Sequence, residues 1–138
     1  MARLSDDARR ALTAGRLGHL VTLNEDGSPQ ASVVWIGLDG DDVVVGHLMG
    51  GQKVRNIRRD PRVVLTVEAD GANEYGLGHY LIVRALATLD EGGAPELLQR
   101  LAEVYLGPGV RFPDFEAPPG HVIRLRVEGV SGVGPWAE

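Results

Sequence analysis

Runs of apolar residues along the chain predict about six β-strands and three helices. The predicted strands cover residues 16–23, 30–38, 42–47, 63–67, 79–89 and 121–133. In the first of them, Leu17, His19, Val21 and Leu23 alternate with other residues. The predicted helices run from a Ser5 cap to near Gly15, from 52 to 59 and from 95 to 105. Residues 69–78 and 106–120 are rich in glycine or proline, so we expect loops there.

The order of these elements predicts a fold class. The first three strands are joined by short turns, such as Asp26-Gly27, and this spacing is typical of an antiparallel meander. Strands and helices do not alternate as they do in a parallel α/β sheet. We therefore expect one α+β domain over residues 1–138, mainly antiparallel, built as a β-barrel with peripheral helices.

Composition and charge exclude several classes of protein. The 138 residues contain no cysteine, which excludes a disulfide scaffold, a thiolate nucleophile and a cysteine-ligated metal. The net charge of −5 is unfavourable for a general nucleic-acid binder. No apolar run is long enough to span a membrane, and the segment from Met1 to Asp7 lacks the apolar core of a signal peptide. We expect a cytoplasmic protein with no membrane or nucleic-acid partner.

Several familiar sites are missing from the sequence. No Gly-x-Gly-x-x-Gly motif follows a strand, and Val54 stands where a phosphate-binding loop needs Ser or Thr. The four histidines (His19, His47, His79 and His121) lack metal-ligand spacing, so we predict no metal site. We identify no catalytic residue. Tyr75, Tyr80 and His79 are candidate proton donors, but no motif spacing supports that role for any of them.

Residues 53–62 contain five of the 14 basic residues and one acidic residue. Lys53 is the only lysine beside 13 arginines, and it lies in the first turn of the predicted helix. The preceding Gly50-Gly51 pair allows a close approach of a ligand to the backbone, and a helix N-terminus favours an anion. Asn56 is three residues further along, so we expect it to meet a phosphate together with Lys53. The alternative interpretation is an ordinary solvated basic helix face.

The pattern of these segments resembles the pyridoxamine 5′-phosphate oxidase-like split β-barrel family. The similarity rests on an Asp-Gly-x-Pro turn at 26–29, on Val33-Val34-Trp35-Ile36, and on Lys-Val-Arg-Asn-Ile-Arg-Arg-Asp-Pro-Arg at 53–62. Within the family, the chain is similar to the actinobacterial flavin/deazaflavin oxidoreductase B group. The resemblance extends over nearly the whole chain. Many relatives carry Arg or Ser two positions before the lysine, where this chain has Gly51.

The resemblance implies a homodimer with two cofactor sites at the subunit interface. It implies the deazaflavin coenzyme F420 as cofactor, with FMN as the alternative. The helix would bind the phosphate-bearing tail, and the second strand would lie along the ring system. The residues it implies as cofactor-binding are Ser32, Val33, Val34, Trp35, Gly51, Gln52, Lys53 and Asn56.

The function implied by the resemblance is F420-dependent hydride transfer to or from a small conjugated or heterocyclic substrate. An FMN-dependent oxidase or reductase of the same fold and a non-catalytic F420-binding protein stay open as alternatives. Because the cofactor would carry the chemistry, the absence of a catalytic triad is compatible with an enzyme.

Overall fold

The computed structural model of the protein describes residues 3–136. Met1 and Ala2, on which part of the signal-peptide prediction falls, lie outside the described residues, as do Ala137 and Glu138. Three helices are present: α1 (Asp6–Leu12), α2 (Gln52–Arg59) and α3 (Ala94–Tyr105). The strands are β1 (Gly18–Leu23), β2 (Pro29–Val34), β3 (Gly37–Asp39), β4 (Asp42–His47), β5 (Arg62–Ala72), β6 (Gly78–Glu91) and β7 (His121–Val133).

The helices begin where the sequence predicts. The Ser5 side chain caps α1 by accepting a hydrogen bond from the Ala8 backbone N–H at 3.1 Å. Pro95 lies in the first turn of α3, where its missing N–H has no intrahelical partner to lose. Helix α2 occupies the predicted residues and ends at Arg59, with Asp60 as its C-cap directly before Pro61.

All seven strands belong to one antiparallel sheet with the order β2-β1-β5-β6-β7-β4-β3. This arrangement corrects two predictions. The predicted strand over 30–38 is interrupted at Trp35 and Ile36, so it forms two strands, β2 and β3. The predicted three-stranded meander is correct in its two antiparallel pairings, β1 with β2 and β3 with β4, but its middle strand is divided, because β2 and β3 lie at opposite edges of the sheet.

The connection between β2 and β3 requires the sheet to roll up. Only Trp35 and Ile36 separate Val34, at one edge, from Gly37, at the other. Three Cα–Cα steps span at most about 11 Å, so the two edges must approach each other across this connection. The sheet is therefore a barrel that stays unpaired between β2 and β3, in agreement with the predicted α+β split-barrel class.

The inward side of the sheet forms the main core. Fully buried members include Leu20, Leu65, Val83 and Leu125, and α1 contributes Leu12 to the same cluster. A second, smaller cluster lies under α3, between that helix and β4. It consists of Val44, Leu97 and Leu101, with Trp35, Tyr105 and Val122 packed against it.

The alternation noted in the first strand marks the outward side of β1, not the core. Gly18, Leu20 and Thr22 are buried, whereas Leu17 is 50% exposed.

A further correction concerns the predicted loop at 69–78. There β5 continues to Ala72 and pairs with Gly78, with an irregularity after Glu68. No helix within residues 3–136 has the length and apolar character that crossing a membrane requires.

Candidate functional site

A cleft of about 390 Å³ opens beside the connection between β2 and β3. Its walls come from the end of β2, the end of β4, the segment leading into α2, helix α3 and the irregular segment 106–120. The lining residues are Val33, Val34, Trp35, Gly46, His47, Leu48, Met49, Lys53, Leu98 and Phe112. The lining is mainly apolar, with one ammonium and one imidazole.

Lys53 is the ammonium of this cleft. Its Nζ donates to Ser32 Oγ at 3.3 Å, which links α2 to β2. Among residues 3–136 no carboxylate lies within 4.0 Å of that nitrogen. Burial lowers the pKa of Lys53 below its ordinary value of 10.5, because partial removal from water disfavours the charged form. A half-buried cation without an acidic neighbour is arranged to receive an anion.

The other cations of the basic segment do not join Lys53 at the cleft. Arg58 lies 3.7 Å from Glu91 Oε1, and Arg62 forms an ion pair with Asp60 at 2.8 Å. Arg59 donates to the carbonyl of Leu23, and Arg55 donates to Gln52 Oε1. Within the described part of the chain, the segment therefore contributes one cation to the cleft. Its arginines instead form the hydrogen bonds and ion pairs just described, away from the cleft.

Asn56 is completely buried and anchors α2 to the barrel. Its amide nitrogen donates to Thr22 Oγ1 at 3.0 Å and to Asn24 Oδ1 at 2.9 Å. Its carbonyl oxygen accepts from Gln52 Nε2 at 2.7 Å. Asn56 and Thr22 are the buried polar residues of the described chain, and they bond to each other. Contact of Asn56 with a ligand stays a prediction, and it would require these internal bonds to break.

Gln52 and Gly51 precede Lys53 but face different surroundings. The Gln52 side chain lies beside the β1–β2 turn, in a polar groove that it shares with Asn24 and Asp26. Gly51 is extended, with φ of −175°, so its backbone conformation is open to any residue. A Cβ at Gly51 would lie 3.7 Å from His47 Nε2, in ordinary contact.

Trp35 forms the aromatic wall of the cleft. It stacks on Tyr105 with the ring centroids 5.3 Å apart, and it meets the edge of Phe112 at 5.4 Å. The Tyr105 hydroxyl accepts from the Ile36 backbone N–H at 3.0 Å and donates to the Arg16 carbonyl at 2.8 Å. Helix α3 thereby holds the β2–β3 connection in place, and one side of Trp35 is used in packing.

The structure adds cleft residues that the sequence analysis did not identify, above all His47 and Phe112. His47 ends β4 four residues before Gly51, and this short separation from the predicted anion site is the signal that could have found it. Burial lowers the pKa of His47 below 6.5, and the nearby Lys53 and His121 lower it further. Phe112 belongs to the irregular segment, which carries no periodic signal.

The outward side of the sheet carries several apolar residues on the strands near this cleft. Val21 and Val64 lie opposite each other on β1 and β5, and both line a groove of about 310 Å³ together with Leu23 and Leu86. Val33, 58% exposed, belongs to the adjoining edge strand and also lines the cleft. Val33 therefore lies on the same outward side as this apolar sheet face (Val21, Leu23, Val64 and Leu86), with His19 directly opposite it on β1.

Comparison with protein families gives one match over almost the whole chain. Residues 4–134 match the family model described as pyridoxamine 5′-phosphate oxidase. The comparison with curated proteins gave no match.

Solved structures with the same fold cover most of the chain. An F420 reductase is 27% identical, with a TM-score of 0.72, over 89% of this chain and 94% of that protein. A heme binding protein from Mycobacterium smegmatis is 26% identical, with a TM-score of 0.64, over 100% of this chain and 57% of that protein. A conserved hypothetical protein from Mycobacterium tuberculosis, 24% identical over 96% of this chain and 87% of its own, has a TM-score of 0.73 and shows the fold alone.

Proposed function

Because the chain belongs to the pyridoxamine 5′-phosphate oxidase family, we propose that it is an oxidoreductase that uses the deazaflavin coenzyme F420. The proposed reaction is hydride transfer between the coenzyme and a small conjugated or heterocyclic substrate. The similarity to an F420 reductase, at 27% identity over nearly the full length of both chains, supports this choice.

The observation that carries the proposal is the environment of Lys53. Its ammonium is half-buried, donates to Ser32 and faces an apolar cleft with no carboxylate nearby in the part of the chain described. A phosphate group supplies the opposite charge and the acceptor oxygens that this ammonium lacks. Lys53 would therefore hold the phosphate-bearing tail of the coenzyme, with Ser32 orienting the ammonium.

The walls of the cleft suit a flat ring system. Val33 and Val34 at the end of β2 and the indole of Trp35 provide apolar contact area beside Lys53. Gly51, which has no side chain, leaves the backbone open at the start of α2. Asn56 and Gln52 would act by fixing α2, since their amides bond to each other and to the β1–β2 region.

A second copy of this chain is the partner we propose for the apolar sheet face. Val21, Val64 and Leu86 line the groove on this face together with the charged residues Arg62, Arg84 and Glu128. Because Val33 lies on the strand next to β1 and lines the cleft, a partner that extends over this face as far as β2 would cover the cleft and exclude water. The proposed assembly is a homodimer with its cofactor sites at the interface.

The reduced deazaflavin supplies a hydride from its ring carbon when it is bound. The residues of the chain would bind the tail through Lys53, orient the ring against Val33 and Trp35, and exclude water. No described residue has to become covalently modified in this scheme.

Fluorescence titration of the purified protein tests the cofactor assignment. We expect F420 to bind in the micromolar range or tighter, FMN to bind more weakly, and NADPH to bind little. Tighter binding of FMN than of F420 would overturn the assignment in favour of an FMN-dependent enzyme. Tight F420 binding with no turnover of the reduced coenzyme by conjugated acceptors would instead indicate a coenzyme-binding protein.

A further inference from the structure

Three polar residues lie in one cross-strand row behind the cleft. The pairing of β4 with β7 places His47 opposite His121, and the pairing of β6 with β7 places Glu91 opposite His121. Directly opposite residues project from the same side of an antiparallel sheet. His121 Nε2 is 3.5 Å from a carboxylate oxygen of Glu91, which is 81% exposed. The row therefore runs from the cleft to a solvent-exposed carboxylate.

Two ring nitrogens of this row are buried without a partner. Within residues 3–136, neither His47 Nε2 nor His121 Nδ1 has a hydrogen-bond partner. The partnerless nitrogen of His47 is the one beside Gly51, 3.7 Å from the position of a Cβ there. It therefore lies beside the backbone just before Lys53, where an anionic ligand would be held.

We propose that His47 is a second, protonatable cation of this anion site, and that binding of an anionic group beside Lys53 is coupled to the uptake of one proton by His47. The inference rests on the proposed function only for the identity of the natural ligand. The site requires an anion such as a phosphate or sulfate group, whatever molecule carries it.

The charges around His47 give the direction of this coupling. In the free protein, burial, Lys53 on α2 and His121 on β7 all hold the pKa of His47 below 6.5. Behind His121 lie Glu91 on β6 and Arg58 on α2, whereas α3 and the segment 106–120 contribute the apolar Leu98 and Phe112 to the cleft. An anion bound in the cleft that Lys53 and His47 both line favours the charged imidazolium and raises the pKa of His47.

The coupling makes anion affinity depend on pH. The complex holds more protons than the free protein between the two pKa values of His47, so affinity falls as the pH rises through that range. Uptake of one proton corresponds to about a tenfold loss of affinity per pH unit at the steepest point.

Proton NMR with sulfate as the probe tests this inference without any coenzyme. Sulfate carries a fixed charge near neutral pH, and the four histidines are few enough to assign, with His47→Gln identifying the His47 resonance. We expect sulfate to shift the His47 titration to higher pH and to leave that of His79 unchanged. A His47 titration that sulfate does not move at any concentration would overturn the proposal.

Two variants separate the anion effect from a general effect of salt. Lys53→Ala removes a repulsive neighbour, so we expect the His47 titration of the free protein to move to higher pH and to lose its response to sulfate. His79→Gln is the matched control, since His79 packs against Trp136 on another part of the barrel. An unchanged response to sulfate in Lys53→Ala would show that sulfate acts elsewhere and would contradict the shared site.

Calorimetry with F420 then links the site to the coenzyme. Titrations in two buffers of different ionisation enthalpy count the protons taken up, and we expect the count to fall to near zero in His47→Gln. If sulfate moves the His47 titration but F420 does not bind, the anion site stands and the proposed coenzyme is wrong. If F420 binds with equal proton uptake in wild type and His47→Gln, the role of His47 is refuted and the coenzyme assignment stands.

Discussion

At the scale of single residues, Lys53 has the largest predicted effect on binding. Charge-assisted hydrogen bonds of this kind contribute about 1.5–3 kcal/mol. We therefore expect Lys53→Ala to weaken F420 binding by about one to two powers of ten. The melting temperature should change little, because Lys53 makes one hydrogen bond, to Ser32, in the described structure. Fluorescence titration and thermal unfolding measure the two quantities.

Arg58→Ala is the charge-matched control for Lys53→Ala, since Arg58 lies on the same helix but faces Glu91 and His121. Lys53→Arg should restore binding in part, because a planar guanidinium approaches an anion differently from an ammonium. Equal weakening by Lys53→Ala and Arg58→Ala would show that binding depends on the diffuse field of the helix and not on the contact we assign to Lys53.

The residue scale also shows what the sequence could predict about the site. Lys53 stands out as the only lysine, and the glycine pair before it marks an approach to the backbone, so both are visible without a structure. For His47 the sequence offers only its short separation from Gly51, because its place in the cleft with Lys53 and its pairing with His121 appear only in the folded chain. Asn56 was predicted beside Lys53 by helical spacing, which cannot show that its amide is buried against Thr22.

At the scale of secondary-structure elements, the position of α2 depends on Asn56. Replacement by Ala removes the bonds to Thr22 and Asn24, and the buried Thr22 hydroxyl keeps only its bond to Gln30. We expect Asn56→Ala to lower the free energy of unfolding by about 1–3 kcal/mol and to weaken coenzyme binding by displacing Lys53. Urea unfolding measures the first effect. Arg55→Ala, an exposed change on the same helix, should stay within about 0.5 kcal/mol of wild type.

Tyr105 has the corresponding role for the β2–β3 connection. Tyr105→Phe keeps the stacking on Trp35 but removes the hydroxyl that bonds to Ile36 and Arg16. We expect a loss of about 1–3 kcal/mol in the free energy of unfolding, because the Ile36 N–H loses its acceptor. Far-UV circular dichroism during urea unfolding provides the measurement. Tyr75→Phe, at an 81% exposed position, is the control, and equal stability of both variants would refute this role for Tyr105.

The elements predicted exactly are those with unambiguous local signals. Helix α2 has a glycine pair before it and Asp60-Pro61 after it, and β4 lies between a turn and that glycine pair. The break at Trp35 and Ile36 carries no such signal, because Val33-Val34-Trp35-Ile36 is a continuous apolar run that is typical of one strand. Its interruption follows from barrel closure and from the hydrogen bond to Tyr105, which are tertiary effects.

At the scale of the whole molecule, the apolar sheet face predicts self-association. We expect Val64→Glu to convert a dimer into a monomer, because it places a charge on this face directly opposite Val21. Light scattering measures the mass, and F420 binding should weaken in parallel if the partner covers the cleft. Val104→Glu, an exposed valine on α3 outside this face, should leave the assembly unchanged. A wild-type monomer that binds F420 would contradict an interface site.

The same face explains why the alternation at residues 17–23 does not identify the core. Leu17, Val21 and Leu23 alternate along the chain, but the buried side chains are Leu20 and Thr22. Hydrophobic periodicity identifies the core only where the opposite side of the strand is polar. In β1 both sides carry apolar residues, so the sequence could indicate a strand but not which of its sides faces inward.

The short connection at Trp35 and Ile36 also limits how chain length can vary. An extra residue there would let the two sheet edges move apart, which would widen the cleft and draw Trp35 away from Tyr105. An extra residue in the turn at 73–77 would only lengthen the exposed end of the hairpin formed by β5 and β6. Insertions and deletions therefore have room at the hairpin ends of this barrel, whereas the two-residue connection beside the cleft is a position of fixed length.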